Sequence, residues 1–355
     1  MKRLKIGVIF GGISSEHDVS KVSGTSVIKN LNKEKYDIIS IYIDKDGKWY
    51  TYEKPLEEID ILDIDADVSN DIKPIDNIEK ILKSVDVIFP VLHGLGGEDG
   101  SIQGLFEMLK VPYVGCGILA SSVGMDKVYT KIIFEKANIK QAKYEYVRKY
   151  KDNYIYIDKE FNEEIINLNE LVLKIEKNLS YPMFIKPSNS GSSVGINKAA
   201  DTEELKKAIE YATNFDKKVL IEEGIVGKEV ECAVLGNEDV MSSCVGEIKP
   251  AEAFYTFDAK YKNQESKVLI PADLPKEMSN RLRDLAIKAF KAIDGKGLSR
   301  VDFFANEKTD EIYINEINTL PGFTTISMYP KLFEASGIGY QELLNQLIEL
   351  SKENP

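Results

Sequence analysis

The chain has 355 residues, 43% hydrophobic and 29% charged, the profile of a globular protein too long for one compact core; two or three domains are expected. Its net charge of −12 argues against nucleic acid or an anionic membrane as the main partner. Three scattered cysteines, Cys116, Cys232 and Cys244, lack metal spacing and read as reduced thiols of a cytosolic protein, and no apolar run has the length of a membrane span or the form of a signal peptide.

In chain order, Ile6 to Phe10 reads as a buried strand, followed by Gly11-Gly12 and a helix from about Val19 to Leu31. Tyr36 to Ile43 is a second strand. Val85 to Leu92 is a third, with the continuous apolar run of a parallel sheet, and a short helix covers Ile102 to Leu109. This is an open α/β unit whose ligands gather at the carboxyl ends of its strands. The clusters Ser14 to Asp18 and His93 to Gly100 both follow strands, which puts them on one rim. Asp18, Glu98 and Asp99 equally suit helix capping. The middle of the chain opens with a helix through Met125-Asp126-Lys127. An acidic, Asn-rich insert over about 152–178 follows, of which 151–169 is charged enough to read as a surface excursion without a role. The strand Tyr181 to Lys186 comes next. The last part carries an amphipathic helix, Tyr340 to Leu350.

Phe184-Ile185-Lys186 runs into the loop Pro187 to Gly195, whose Ser and Gly residues let backbone N–H groups approach phosphate oxygens, with Lys186 as a point charge. It is no Walker A motif, because the lysine precedes the glycines. Gly191-Ser192-Ser193-Val194-Gly195 matches a hydrolase elbow, but the only histidines, His17 and His93, lie upstream, against the order that fold requires. Gly11-Gly12 does not complete a dinucleotide fingerprint. Val219 to Ile225 is a strand running into Glu222 and Glu223, with Glu229 in the next segment. It reads either as a sheet-edge hinge or as a crevice holding a base and a ribose.

The strongest signal is the pair Ser299 to Phe304 and Ile314 to Gly322, two alternating strands around the polar turn 306–311. Pairing centred near Thr309 sets Asp302 opposite Glu316, with Asn318 on the same face and Arg300 alongside. Two carboxylates and a carboxamide suit Mg²⁺, which takes few protein ligands and completes its shell with phosphate and water. Arg300 could clamp a phosphoryl group or a developing oxyanion. A solvated hairpin face is the competing reading.

Over essentially its whole length the chain resembles the D-alanine–D-alanine ligases of the ATP-grasp superfamily. The resemblance rests on Gly11 to Ser20, His93 to Gly104, Met125-Asp126-Lys127, Lys186 to Gly195, Ala259-Lys260-Tyr261 and Arg300 to Ser327. It implies α/β and α+β architecture in three domains: an N-terminal Rossmann-like open parallel sheet (1–118), a central ATP-grasp domain (119–222) and a C-terminal one (223–355) bearing the metal hairpin and a lid. Lys127 and Lys186 would contact ATP phosphates, and Glu222, Ile225 and Glu229 the adenine and ribose. Asp302, Glu316 and Asn318 would hold two Mg²⁺, with Mn²⁺ as a substitute. Glu16 would take the ammonium of the first D-alanine through a Glu16–Ser192–Tyr261 chain, near His93, and Gly322 and Ser327 would frame the carboxylate of the second. The resemblance implies an acyl phosphate route, with Arg300 stabilising the oxyanion and Lys260-Tyr261 on a water-excluding lid. Relatives that join D-lactate commonly carry His where this chain has Tyr261, so D-alanine is the expected second substrate, with D-serine harder to reject. A cytoplasmic homodimer is also implied. Two rivals are another carboxylate–amine ligase of the superfamily and a silent nucleotide-binding protein; the latter predicts loss of Lys186, Arg300, Asp302, Glu316 or Asn318, all of which are present.

Overall fold

The computed structural model describes residues 2–52, 72–249 and 267–353. The first sheet is built from β1 (Leu4–Gly11), β2 (Tyr36–Ile43), β3 (Trp49–Tyr52), β4 (Ile72–Pro74) and β5 (Val87–Val91), in the order β4-β3-β2-β1-β5. Helix α1 (His17–Asn30) follows β1, α2 (Ile78–Leu82) precedes β5 and α3 (Ser101–Leu109) follows it. β1 runs parallel to β2 and β5, while β3 and β4 add antiparallel strands at one edge, so the expected parallel sheet is mixed. Ser14 Oγ donates to His93 O at 2.5 Å, which joins the two loops on one rim as their positions after strands required.

Helices α4 (Ile118–Met125) and α5 (Lys127–Lys136) lead to a second sheet of β6 (Tyr144–Tyr150), β7 (Asn153–Ile157), β8 (Glu163–Ile166), β9 (Met183–Pro187), β10 (Asn197–Ala199) and β11 (Lys218–Glu223). Helices α6 (Leu168–Asn178) and α7 (Thr202–Ala212) cover one face, where Met183, Ile185, Val219 and Ile221 are buried. Strand alternation turns Lys186, Leu220 and Glu222 to the other face. The insert is therefore no surface excursion. Residues 151–169 supply β7, β8 and the start of α6, with Tyr154 and Ile166 in the core, and Leu171 and Ile175 further along α6 join them. Its apolar periodicity is diluted by exposed charges on the outer faces of short elements, which hid it from a composition-based reading. Tyr156 and Asn178 also donate to the buried Glu145, both at 2.9 Å.

The third sheet comprises β12 (Lys228–Gly236), β13 (Met241–Lys249), β14 (Lys267–Leu269), β15 (Gly297–Asn306) and β16 (Glu311–Asn318), in the order β14-β13-β12-β15-β16. Between β14 and β15 lies α8 (Lys276–Ala292), whose Leu282, Ala286 and Phe290 pack on Val230, Cys232, Val301 and Phe303. Phe134 of α5 and Ala120 of α4 join that same core. Strand β11 pairs on both sides, with β6 and β9, so Glu222 stands within a sheet rather than at an edge hinge, and Glu229 likewise lies on β12 between β13 and β15. Finally α9 (Met328–Ala335) and α10 (Tyr340–Ser351) close the molecule. Leu343, Leu344, Leu347 and Ile348 of α10 share one core with Ile6, Val8 and Phe10 of β1. Among the described residues no helix is long and apolar enough to cross a membrane.

Candidate active site

The hairpin β15–β16 pairs Asp302 with Glu316 and Arg300 with Asn318, the register expected from a centre at Thr309. A bulge after Asp302 shifts the ladder so that Phe303 pairs with Ile314, leaving Asn315 as an extra residue beside Glu316. Both then line a narrow crevice with Lys127, Lys131, Lys186 and Glu222. Arg300 makes a two-pronged contact with Asp302, Nε to Oδ1 at 2.7 Å and Nη2 to Oδ2 at 2.6 Å, and Asn318 Nδ2 donates to Asp302 Oδ2 at 3.2 Å. Glu231, across the ladder from Asp302 on β12, lies 3.0 Å from Arg300 Nε. Burial alone would make the guanidinium easier to deprotonate, but Asp302 and Glu231 hold it firmly charged.

The fit to Mg²⁺ rests on donor chemistry. Asp302 and Glu316 already face cations, Arg300 and Lys127, and Asn318 keeps its amide oxygen as a further hard donor. Among the described residues no group of three or more His, Cys, Asp or Glu side chains forms a metal cluster. Two carboxylates and an amide oxygen match an ion that draws most of its shell from phosphate and water.

Across the crevice stands α5. Its N-cap Asp126 accepts from the N–H groups of Val128 and Tyr129 at 3.2 Å, accepts from Ser188 Oγ at 2.7 Å and pairs with Lys218. Lys127 N donates to Ser188 O at 3.0 Å, so the helix end is fixed to the end of β9. Lys127 and Lys131 are one turn apart and share a face. Lys127 Nζ donates to Ser190 O at 2.5 Å and lies 3.9 Å from Glu316. Lys131 Nζ is 2.9 Å from Glu222 Oε2, and Lys186 Nζ pairs with Glu222 Oε1 while reaching Asn315 Oδ1 at 3.4 Å. Burial would raise the Glu222 carboxyl, but the two lysines outweigh it and bring it down to about 2. Burial works against the charged form of Lys186, but Glu222, then Glu316 and the half-buried Glu229 on β12, favour it.

Glu16 is buried on the other side of the site and accepts from Ser192 Oγ. A Cβ at Gly94 or at Gly191 would come within 2.8 Å of Glu16 Oε2, so both loops approach the carboxylate as only glycine permits. Ser192 and Ser193 take left-handed backbone angles, φ 50° and 61°, strain often kept where a loop must present a particular atom. Glu98 is half-buried beside Glu16 and accepts from Gly94 N at 3.0 Å; desolvation, then the Glu16 charge, push its carboxyl up to about 8. Asp99 accepts from Gly96 N and Ser101 N, shaping the turn before α3, whereas Asp18 pairs with Lys21 and Lys45 instead of capping α1.

His93 commits both ring nitrogens to the protein: Nδ1 lies 3.2 Å from Leu320 O and Nε2 3.0 Å from Ser23 Oγ. Burial lowers its pKa, and since a carbonyl only accepts, Nδ1 carries the proton of the neutral ring. Ser23 Oγ also accepts from Phe323 N, and Tyr340 Oη donates to Phe323 O at 2.6 Å. The segment 320–327 is thereby fixed from three sides. Within it a Cβ on Gly322 would meet Ser327 Oγ at 2.8 Å, and Ser327 Oγ accepts from Thr324 N at 3.0 Å at the start of α9.

The structure thus gathers Lys127, Lys186, Glu222 and Glu316 in one crevice, joins Asp302, Asn318 and Arg300 by hydrogen bonds on the same hairpin, sets Glu16 against Ser192, and sets Gly322 against Ser327. Ile225 is half-buried just past β11. Lys260 and Tyr261, the lid residues, lie outside the described residues. Sequence reasoning missed Lys131, Glu231 and the anchoring role of Asp126. The helical repeat from Lys127 and the strand repeat from Glu229 were the available signals for the first two.

Two facing sheets with lysines and carboxylates converging between them define an ATP-grasp enzyme. The chain matches the family model described as D-ala D-ala ligase N-terminus over residues 5–116 and D-ala D-ala ligase C-terminus over residues 133–349. It is 53% identical to the D-alanine–D-alanine ligase of Acetivibrio thermocellus, covering 98% of this chain and 95% of that protein. It is 50% identical to that of Ruminiclostridium cellulolyticum, covering 99% and 96%. Among solved structures it is similar to the VanG D-Ala:D-Ser ligase of Enterococcus faecalis (TM-score 0.85, 37% identity, 99% and 100% covered) and to the D-alanine–D-alanine ligase of Coxiella burnetii (0.82, 31%, 99% and 95%). The chain belongs to the D-alanine–D-alanine ligase family.

Proposed function

We propose that the protein activates the carboxylate of one D-alanine with ATP and joins it to the amine of a second, forming D-alanyl-D-alanine for the bacterial cell wall. The observation that carries this reading is that the loop whose Ser192 meets the buried Glu16 carboxylate also takes Lys127, from the cation-rich crevice, at Ser190 O. When bound, ATP and Mg²⁺ supply the phosphoryl group that makes the carboxylate electrophilic and part of the charge that lets two anions meet. Glu16 orients the first ammonium. Lys127 and Lys186 bind phosphate, Asp302, Glu316 and Asn318 hold metal, and Glu222, Ile225 and Glu229 read the base and ribose. Arg300 stabilises the oxyanion formed as the second amine attacks. Gly322 and Ser327 receive the second carboxylate, and Lys260-Tyr261 close over the site to exclude water. His93 supports this pocket by fixing Leu320. The division at 118 and 222, a cytoplasmic location and a homodimer belong to the same reading, and light scattering tests the dimer.

D-serine as second substrate has one specific support, the likeness to a D-Ala:D-Ser ligase. A pocket rejects an added hydroxyl only weakly, about a hundredfold. The test is phosphate release from ATP with Mg²⁺ and D-alanine, L-alanine or no amino acid, followed by D-alanine in competition with D-serine or D-lactate and products separated by mass. D-alanine should stimulate release and the D-Ala-D-Ala dipeptide should dominate. No stimulation overturns the ligase reading; a dominant D-Ala-D-Ser product or depsipeptide overturns the second substrate alone.

A further inference from the structure

Glu222 is clasped by two lysines, and only one of them has a place in the proposed chemistry. Lys186 lies between two duties, pairing with Glu222 on one side and reaching toward Asn315 and the hairpin carboxylates on the other. Lys131 has no such division. Its ammonium is buried, 2.9 Å from Glu222 Oε2, and rests 5.2 Å from the centre of the Tyr144 ring. The side chains of Lys131 and Glu222 are 5% and 7% exposed, so water compensates little for a broken pair.

Were Lys186 the only cation on Glu222, moving it to a phosphate would strand a buried carboxylate, and removing one partner of a buried pair is costly. A second lysine changes that balance. We propose that Lys131 is a positioning residue for nucleotide binding: it remains on Glu222 as a standing counter-ion and so releases Lys186 to the phosphates. The helix explains why these groups occur together. Lys127 and Lys131 sit one turn apart on α5, which is anchored through Asp126 and Ser188 to the strand that carries Lys186. One helix face thus offers one lysine to the phosphate loop and one to the base-side carboxylate.

This inference rests on the nucleotide-site reading, and the experiment separates the two. Calorimetry measures binding of ATP and of tripolyphosphate, which carries no base, to wild type, Lys131→Met, Glu222→Gln and the double variant. Wild-type protein that binds neither probe overturns the nucleotide-site reading and this inference with it. With wild type binding, Lys131→Met should weaken tripolyphosphate roughly ten- to a hundredfold, because Lys186 is now held by an otherwise stranded anion. In the Glu222→Gln background the same Lys131→Met change should have little effect, since no anion retains Lys186. Equal loss in both backgrounds means that Lys131 acts only through its own charge, and overturns the proposal; so does an unchanged affinity in Lys131→Met. Circular dichroism melts identify a folding defect. If Lys131→Met does not fold, Glu222→Gln alone decides: tripolyphosphate should bind it at least as tightly as wild type, and weaker binding overturns the proposal.

Discussion

Glu222 is a buried carboxyl and Glu98 a half-buried one, and their surroundings move them in opposite directions. Glu222 has two lysines; Glu98 has the Glu16 charge for a neighbour and so favours its protonated form, near 8 against an ordinary 4.5. A raised carboxyl contributes stability that is complete below the unfolded value and is lost as pH climbs through the folded one. The melting temperature of wild type should therefore fall relative to that of Glu98→Gln between about pH 5 and 8. Comparison with the variant cancels the buried histidines His17 and His93, whose lowered values act the other way over part of that range. Parallel melting curves for the two proteins across this window would refute the assignment. Little of this was legible in the sequence. Asp302 and Glu316 could be placed opposite one another because strand register is arithmetic once a turn is found. Glu98 looked like a cap because its burial depends on loops from distant parts of the chain.

Among the elements, α5 shows how a short helix can carry more of a site than its motif suggests. Met125-Asp126-Lys127 drew notice for the lysine, yet Asp126 fixes where the lysine points. Asp126→Ala removes the cap and leaves Lys218 and Ser188 without their carboxylate. It should lower unfolding stability by about 2 kcal/mol in urea titrations and raise the apparent KM for ATP more than it lowers kcat. A stability loss with no change in KM would mean that α5 keeps its place without its anchor. The long amphipathic helix and the hairpin were readable because their periods are long or strict. The insert was not, since β7 and β8 are short and β8 opens on two glutamates, and the bulge at Asn315 leaves no mark in an alternating pattern.

On the scale of the molecule, the segment 320–327 is fastened to the N-terminal part of the chain that carries Glu16 and His93. Phe323 is fully buried, with ring centroids 5.8 Å from Phe89, 5.5 Å from Tyr329 and 6.3 Å from Tyr340. Phe323→Ala should cost roughly 3–5 kcal/mol by denaturant unfolding and raise KM for the second D-alanine more than for the first; equal effects on both would argue against a local anchoring role. Two or three domains could be expected from length, and three from the family resemblance, but not this fastening, which joins residues with no local pattern in common. The core shared by β1 and α10 carries a further consequence. Ser26 and Tyr340, in hydrogen bond contact at 3.0 Å, are 314 positions apart. A ribosome releases the chain in order, so the β1 sheet must wait, its apolar face uncovered, until α10 has emerged. Contacts of such long sequence separation slow folding and prolong exposure to aggregation. The middle sheet, whose core among the described residues draws on residues 147–221, has no such delay and can mature while the rest is still being made.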